Sequence, residues 1–232
     1  MPRSLAVVGA VGGAGATRIT VETAALLARD GRDVAVVDAD PATQGLAGFV
    51  PGRIDPDLAR ALTDDTPVGA VATDIDLAGS GSVTAYPIHA AYATMAAAAT
   101  PEAGERFADV LATLRGDHEF VVVDTGPVAD NLAVASVTTA DRRALVAPGT
   151  DRGADGLARV RDRIADVGAT TDAVVANRAP LPDADVTVPA AEDDVTTPIC
   201  ADATGSLPEA IAEVAATTLD VEIDAELAGG LL

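Results

Sequence analysis

The chain has 232 residues, which suits one domain of ordinary size, and 49% of them are hydrophobic, which is enough for a packed core. It carries 36 acidic residues against 15 basic ones, all of them Arg, for a formal net charge of −21. This charge argues against electrostatic binding to nucleic acid or to an anionic membrane. One Cys (Cys200) and two His exclude a disulfide framework and a multi-histidine metal site.

Short apolar runs alternate with helical patterns along the whole chain, and runs such as Val121–Val123 are typical of strands buried on both faces. The predicted strands are 5–9, 34–38, 83–86, 120–124, 144–147 and 173–176, with weaker candidates at 185–188 and 198–200. The predicted helices are 17–29, 57–62, 89–99, 102–114, 132–138, 153–167 and 207–218. This alternation predicts a single three-layer α/β/α domain, in which helices cover both faces of a mostly parallel sheet.

The predicted domain covers residues 1–219, and the acidic segment 220–232 is predicted to be a flexible C-terminal tail. No apolar run approaches the 18 residues that a transmembrane helix needs, and the first run, 5–9, is too short for a signal peptide. We therefore expect a cytoplasmic protein.

A glycine-rich loop, Gly9-Ala10-Val11-Gly12-Gly13-Ala14-Gly15-Ala16-Thr17-Arg18, lies between the first predicted strand and the first predicted helix. Glycines let successive backbone N–H groups point inward, and the N-terminus of a helix adds a partial positive charge. The loop is therefore predicted to bind an anion such as a phosphate. The predicted contacts are Gly12, Gly13, Ala14, Gly15, Ala16, Thr17 and Arg18.

Carboxylates follow two of the predicted strands at the point where each strand ends. Asp38 and Asp40 end the run Val34–Val37, and Asp124 ends the run Phe120–Val123. In open α/β sheets, ligands bind at the carboxyl ends of the strands, and carboxylate oxygens suit Mg²⁺. These three residues are therefore candidates for the same site as the glycine loop.

Together these motifs resemble those of the ParA/MinD family of P-loop ATPases, whose deviant Walker A reads Lys-Gly-Gly-Val-Gly-Lys-Thr-Thr. The stretch Val37-Asp38-Ala39-Asp40-Pro41 resembles the second motif of the family. The stretch Val123-Asp124-Thr125-Gly126-Pro127 resembles its Walker B motif and the start of its switch II. The resemblance extends from about residue 5 to 219, and it implies a P-loop NTPase-like fold that binds ATP or ADP with Mg²⁺.

The resemblance also implies roles for individual residues. Thr17, Asp38 and Asp124 would hold Mg²⁺, and Asp40 would help to position the water that attacks the phosphate. In the family, an Asn at the place of Asn177 reads the adenine edge, with Arg178 next to it. Pro189 lies in the stretch Val186–Pro189 that resembles the loop over the base, with Asp193 and Asp194 downstream.

The glycine loop departs from the family at the positions that carry charge. The signature Lys corresponds to Val11, the P-loop Lys to Ala16 and the final Thr to Arg18. One charge-assisted hydrogen bond contributes about 1.5–3 kcal/mol, so its loss weakens nucleotide binding by roughly 10- to 100-fold. Hydrolysis suffers more, because charge develops on the phosphate oxygens in the transition state. Arg18 is either a partial substitute near the α-phosphate or a residue paired at the surface.

The lack of Lys and the abundance of Asp are similar to the composition of proteins from salt-accumulating halophiles, and they predict a haloarchaeal-type cytosolic protein. Composition alone does not account for the P-loop, because Arg is not equivalent to Lys in such a tight site. The loss of the lysines therefore indicates a change of function.

Three interpretations remain open. The first is a ParA/MinD-like switch that binds ATP and Mg²⁺ with weak or no hydrolysis, acts through a protein partner or as a homodimer, and takes part in intracellular positioning or partitioning. The second is a pseudo-ATPase adaptor of the same fold that acts without nucleotide. The third is a ligase of the same superfamily, which would need the P-loop Lys. Direct membrane binding is not expected, because the stretch Leu219–Asp224 is acidic where MinD relatives have a basic amphipathic helix.

Overall fold

A computed structural model describes residues 3–64, 66–77, 79–191 and 196–223. The strands are β1 (Ser4–Gly9), β2 (Asp33–Ala39), β3 (Thr73–Ile75), β4 (Ser82–Tyr86), β5 (Phe120–Thr125), β6 (Arg142–Pro148), β7 (Ala173–Arg178) and β8 (Val186–Pro189). The helices are α1 (Ala16–Arg29), α2 (Leu58–Thr63), α3 (Tyr92–Ala98), α4 (Pro101–Asp117), α5 (Asn131–Thr139), α6 (Asp151–Asp166) and α7 (Ser206–Leu219). Short 3₁₀ turns cover Gly45–Phe49, Val68–Val71 and Ile199–Ala201.

The described strands form one sheet in the order β3-β4-β2-β5-β1-β6-β7-β8. Every neighbouring pair is parallel except β3 and β4, which are antiparallel. Because parallel strands run in the same direction, the carboxyl ends of β1, β2 and β5 meet at one edge of the sheet. This edge receives the glycine loop and both predicted carboxylate motifs.

Helices cover both faces of the sheet, and the alternation of side chains along the strands divides the core between the two faces. On β1, Leu5 and Val7 pack in the core shared with α1 and α7, whereas Ala6 and Val8 pack in the core beneath α6. The second face also holds the core formed by β2, β5, α2, α4 and α5. The predicted fold class, a three-layer α/β/α domain with a mostly parallel sheet, is therefore confirmed.

Two predictions of local structure were wrong. The weak strand 198–200 is replaced by the 3₁₀ turn Ile199–Ala201, because the N–H groups of Ile199 and Cys200 donate to the buried carboxylate of Glu22 at 3.0 and 2.7 Å. The helix predicted from residue 89 begins at Tyr92. The short edge strand β3 was not predicted, because its three residues give too little pattern to recognise.

The predicted tail is described only as far as residue 223, and most of it lies outside the described residues. In the part of the chain that the structure describes, no helix combines the length and the apolar character needed to cross a bilayer.

Candidate functional site

A cleft of about 440 Å³ lies at the carboxyl ends of β1, β2 and β5. Its walls are the glycine loop, the segment after Asp40, the end of β5 and the end of β7. The residues that line it are Gly9, Val11, Gly12, Gly13, Ala14, Gly15, Ala16, Thr17, Arg18, Asp40, Ala42, Thr43, Gly45, Phe49, Asp124, Thr125, Gly126, Pro127 and Arg178. The structure thus brings together the loop and two of the three predicted carboxylates, with Asp38 buried directly beneath.

The glycine loop has the backbone conformation that an anion cradle requires. Gly13 and Gly15 have φ angles of +75° and +92°, and Gly15 is the residue before the first turn of α1. The side chain of Asn177 donates from Nδ2 to the carbonyl of Ala14 at 2.8 Å. A Cβ at Gly15 would overlap that amide nitrogen. Position 15 therefore requires Gly for two reasons, the positive φ and the contact with Asn177.

Val11 and Ala16, the two positions predicted to have lost lysines, are packed against the core. Val11 is only 9% exposed, and its Cγ1 would lie 2.5 Å from a Cβ built on Gly156 of α6. Gly156 therefore leaves the space that the valine side chain occupies. Ala16 is buried in the core cluster of α1 while also bordering the cleft. No cation extends from either position.

Asp38 and Asp124 lie side by side, because they are register partners on the parallel strands β2 and β5. Both are buried, and burial together with the neighbouring charge of Asp124 raises the pKa of Asp38 well above its usual range. Burial also raises the pKa of Asp124 to about 7, against the effect of a hydrogen bond from Thr17. In the absence of a cation, burial and mutual repulsion therefore favour the protonated form of the pair.

The two carboxylates differ in the hydrogen bonds that their oxygens accept. Asp38 accepts from the N–H of Asp40 at 2.9 Å and from the N–H of Ile88 at 3.4 Å. Oδ2 of Asp124 is buried and has no hydrogen-bond partner among the described residues. An unsatisfied buried acceptor is costly, so this oxygen is the atom of the site most suited to bind a cation.

Asp40 is fixed at the entrance of the cleft. Its Oδ1 accepts from the N–H groups of Ala42 and Thr43, both at 3.2 Å. Its Oδ2 would lie 2.8 Å from a Cβ built on Gly126, so the carboxylate faces the start of the segment after β5. Asp40 therefore connects the segment after β2 with the one after β5.

The arginines that border the cleft are Arg18 and Arg178. Arg18 forms an ion pair with Glu22, Nε to Oε1 at 2.7 Å, and its guanidinium lies 5.8 Å from the centre of the Phe49 ring. Because Glu22 is fully buried, this is more than a surface pair, and it orients the guanidinium beside the loop. Arg178 is exposed, and it has a left-handed φ of +70° at the end of β7.

The residues predicted to border the base lie near the cleft but differ in their contacts. Asn177 is buried beneath the loop. Pro189, on β8, is the register partner of Arg178 on the parallel strand β7. Neither is among the described residues that line the cleft. Asp193 and Asp194 lie outside the described residues.

The donor set fits Mg²⁺ bound together with a nucleotide. Among the described residues, no three acidic, His or Cys side chains are arranged to hold a metal ion by themselves. Mg²⁺ is commonly bound by one or two protein ligands, with water and phosphate oxygens completing the shell. The Thr17 hydroxyl and the free oxygen of Asp124 match that arrangement.

Glu22, Phe49 and Gly156 act at the site and were not predicted from the sequence. Glu22 lies four residues after Arg18, a spacing that favours an ion pair on a helix and could have indicated it. Phe49 and Gly156 gave no signal, because only the folded chain brings them to the glycine loop.

A family model described as an AAA domain matches residues 3–176 of the chain. No curated protein matches the sequence. Solved structures of low identity share the fold, among them the following three. MinD from Pyrococcus horikoshii in complex with Mg-ADP has 18% identity and a TM-score of 0.77, with 93% of this chain and 95% of that chain covered.

A ParA family ATPase from Chlorobium tepidum has 17% identity and a TM-score of 0.75, with 93% and 99% of the two chains covered. MinD in the MinC:MinD complex from Aquifex aeolicus has 16% identity and a TM-score of 0.76, with 96% and 97% covered. These similarities show the fold. The chain belongs to the AAA domain family, and its fold is the P-loop NTPase fold of MinD-like proteins.

Proposed function

We propose that this protein is a ParA/MinD-like switch that binds ATP with Mg²⁺ through a degenerate P-loop and hydrolyses it slowly or not at all. The observation that supports this most directly is the pairing of Thr17 with Asp124, whose second oxygen is buried without a partner. A cation bound at this oxygen would remove the cost of leaving it unsatisfied.

In this proposal the backbone N–H groups of residues 12–17 hold the phosphates. The Thr17 hydroxyl and the Asp124 carboxylate hold Mg²⁺, with Asp38 adjacent to them. When bound, Mg²⁺ supplies positive charge beside the phosphates. Asp40 orients the attacking water, and Asn177, Arg178 and Pro189 lie on the side of the base.

Weak hydrolysis follows from the charges that remain. Phosphoryl transfer depends on cations that stabilise the charge developing on the phosphate oxygens. Positions 11 and 16 supply none, and the charge of Arg18 is partly offset by Glu22. We therefore expect nucleotide binding to be retained more fully than turnover.

The alternative is a pseudo-ATPase adaptor that acts without nucleotide, and one observation favours it. Val11 fills the space above Gly156, so the former lysine position now contributes to the packing of α6 against the loop. A site kept only for its structure would evolve in this way. We do not propose a ligase, because that chemistry would need the P-loop Lys that Ala16 replaces.

We also propose that the protein acts through a protein partner, with a homodimer as a further state, in intracellular positioning or partitioning. The support is the fold that it shares with MinD, which in Aquifex aeolicus was solved in complex with MinC. The partner of this chain is a separate question from nucleotide binding and requires its own experiment.

The first test is calorimetric titration of ATP and ADP with and without Mg²⁺, in low and in molar KCl. The proposal expects saturable binding that Mg²⁺ strengthens and that Asp124→Asn weakens by at least tenfold. Asp155→Asn is the matched control, because it changes an exposed carboxylate on α6. Absence of binding at millimolar nucleotide at both KCl concentrations would contradict the nucleotide switch and support the pseudo-ATPase adaptor.

A further inference from the structure

A second cleft of about 450 Å³ lies next to the P-loop cleft. The 3₁₀ turn Gly45–Phe49 separates the two, since Gly45 and Phe49 border the P-loop cleft whereas Ala47 borders the second one. The volume lies within the range of small-molecule sites. Its lining residues are Ala47, Gly52, Arg53, Ile54, Asp55, Asp57, Arg60, His89, Ala90, Ala91 and Thr94.

The walls of this second cleft are joined by hydrogen bonds from a buried carboxylate. Oδ2 of Asp57 accepts from the N–H of His89 at 2.8 Å, and Oδ1 accepts from the N–H of Arg60 at 3.3 Å. The N–H of Leu58 donates to the carbonyl of Pro87 at 2.9 Å. The segment before α3 is thereby fixed against α2, so the cleft is formed before any ligand binds.

Gln44 fixes the third wall. Its Oε1 accepts from the N–H of Ala90 at 3.2 Å, and its Nε2 donates to the carbonyl of Ala90 at 3.0 Å. Gln44 has a left-handed φ of +52°, a conformation that a residue with a side chain keeps only where its surroundings hold it. The turn Gly45–Phe49 is therefore connected to the segment that carries His89.

The walls carry two guanidinium groups, those of Arg53 and Arg60, and two carboxylates, those of Asp55 and Asp57. Arg53 pairs with Asp55, and Arg60 pairs with Asp64 at 3.4 Å. The side chains of Arg53 and Arg60 are 84% and 56% exposed, so their ion pairs are weak and can yield to a ligand. The oxygens of Asp57 already accept backbone hydrogen bonds, which reduces the repulsion that this buried carboxylate exerts on an anion.

We propose that this second cleft binds a small organic molecule through an oxyanion group, with Arg53, Arg60 and His89 as its polar contacts. Guanidinium groups bind carboxylates and phosphates through paired hydrogen bonds, which matches two arginines facing one cleft. The two carboxylates of the lining are already engaged, because Asp55 pairs with Arg53 and Asp57 accepts backbone hydrogen bonds. The site does not depend on nucleotide binding in the P-loop cleft.

The test is titration of the full chain with citrate and, separately, with inorganic phosphate, at constant ionic strength and followed by calorimetry. We expect saturable binding that Arg60→Gln weakens at least tenfold and Arg53→Gln by several fold. Arg159→Gln removes the same charge from an exposed position on α6, and it should change the affinity less than twofold. Stronger binding of citrate would identify carboxylates as the ligand class, and stronger binding of phosphate would identify phosphate esters.

Three results would overturn the proposal. One is the absence of saturable binding for both probes. Another is an equal loss of affinity in Arg159→Gln and Arg60→Gln, which would indicate a general charge effect. The third is phosphate binding that Thr17→Val abolishes and Arg60→Gln leaves intact, since the ion would then occupy the P-loop cleft. If Arg60→Gln fails to fold, the affinity of Arg53→Gln, whose side chain is exposed, is compared with that of Arg159→Gln instead.

Discussion

The two sides of the P-loop cleft present different chemical groups. The side formed by β2 and β5 has the carboxylates Asp38, Asp40 and Asp124 at the strand ends. The side formed by the loop has the glycines and Thr17, together with the apolar residues Val11 and Ala16. Val11 is packed over Gly156, and Ala16 is packed in the core of α1.

The difference separates two properties of a phosphate site. Backbone N–H groups and a metal-binding carboxylate are sufficient to bind a phosphate with its cation. Fixed cations lower the barrier to its transfer. A cleft with the first set and without the second is therefore expected to bind better than it catalyses, and the following predictions test this comparison.

The largest effect is expected from Gly15→Ala. An alanine in the left-handed conformation costs about 1–2 kcal/mol. Its Cβ also displaces the Asn177 amide from the carbonyl of Ala14, at a further cost of about 1–2 kcal/mol. We expect the free energy of unfolding, measured by urea denaturation, to fall by about 2–4 kcal/mol. In the control Gly12→Ala, the added Cβ meets no atom within 4 Å and should have little effect. Equal losses would show that the loop conformation does not depend on Gly15.

Ala16→Lys restores one cation to the loop side of the cleft. One charge-assisted hydrogen bond to a phosphate contributes about 1.5–3 kcal/mol, so ATP affinity should rise 10- to 100-fold. Titration calorimetry measures the affinity, and release of phosphate measures turnover. Ala16→Met, which adds similar bulk without charge, should give no gain. If the lysine and methionine variants bind ATP equally, the cleft is not a phosphate site.

Asp124→Asn should make the protein more stable at alkaline pH while weakening Mg²⁺-dependent binding. The pKa of Asp124 is about 7 in the folded chain and about 3.9 when unfolded, so the folded state binds the proton more tightly. Stability from this group is therefore lost as the pH rises from about 4 to 7 and above.

In EDTA at pH 8, we expect Asp124→Asn to exceed the wild type by on the order of 2 kcal/mol in free energy of unfolding. The difference should shrink as the pH falls from 7 to below 4, because only below about pH 4 is the wild-type carboxyl protonated in both states. Asp155→Asn is the matched control, because it makes the same substitution at an exposed position on α6. A variant that is less stable than the wild type at pH 8 would show that the ionised carboxylate of Asp124 does not destabilise the folded state.

Asn177→Ala is expected to have the smallest effect. It leaves the buried carbonyl of Ala14 without its donor, which costs about 1–2 kcal/mol of unfolding free energy. If Asn177 positions the loop, the affinities for ATP and GTP should fall together. A loss of preference between the two bases would instead assign Asn177 to base recognition. Asn131→Ala removes an exposed bond to the carbonyl of Ala99, and it should leave nucleotide binding unchanged.

The fold was largely predictable because its signals are local. Buried parallel strands need continuous apolar runs, and the run ending in Asp124 could be recognised without knowing its neighbours. The structure of the segment 198–200 could not be recognised from the sequence, because it depends on Glu22, a residue more than 170 positions away. Among the described strands, β3 pairs with β4 at the edge of the sheet, and its three residues are too few to give a pattern of their own.

The sequence by itself determined the layer architecture, the glycine loop and the identity of the carboxylates, because spacing and residue type suffice for each. Only the tertiary structure decided how these groups act on one another. The neighbouring register of Asp38 and Asp124 and the packing of Val11 over Gly156 join distant parts of the chain, and the burial of Glu22 beside Arg18 also depends on the folded chain. Burial and proximity set the charge of each group, and both arise only when the chain folds.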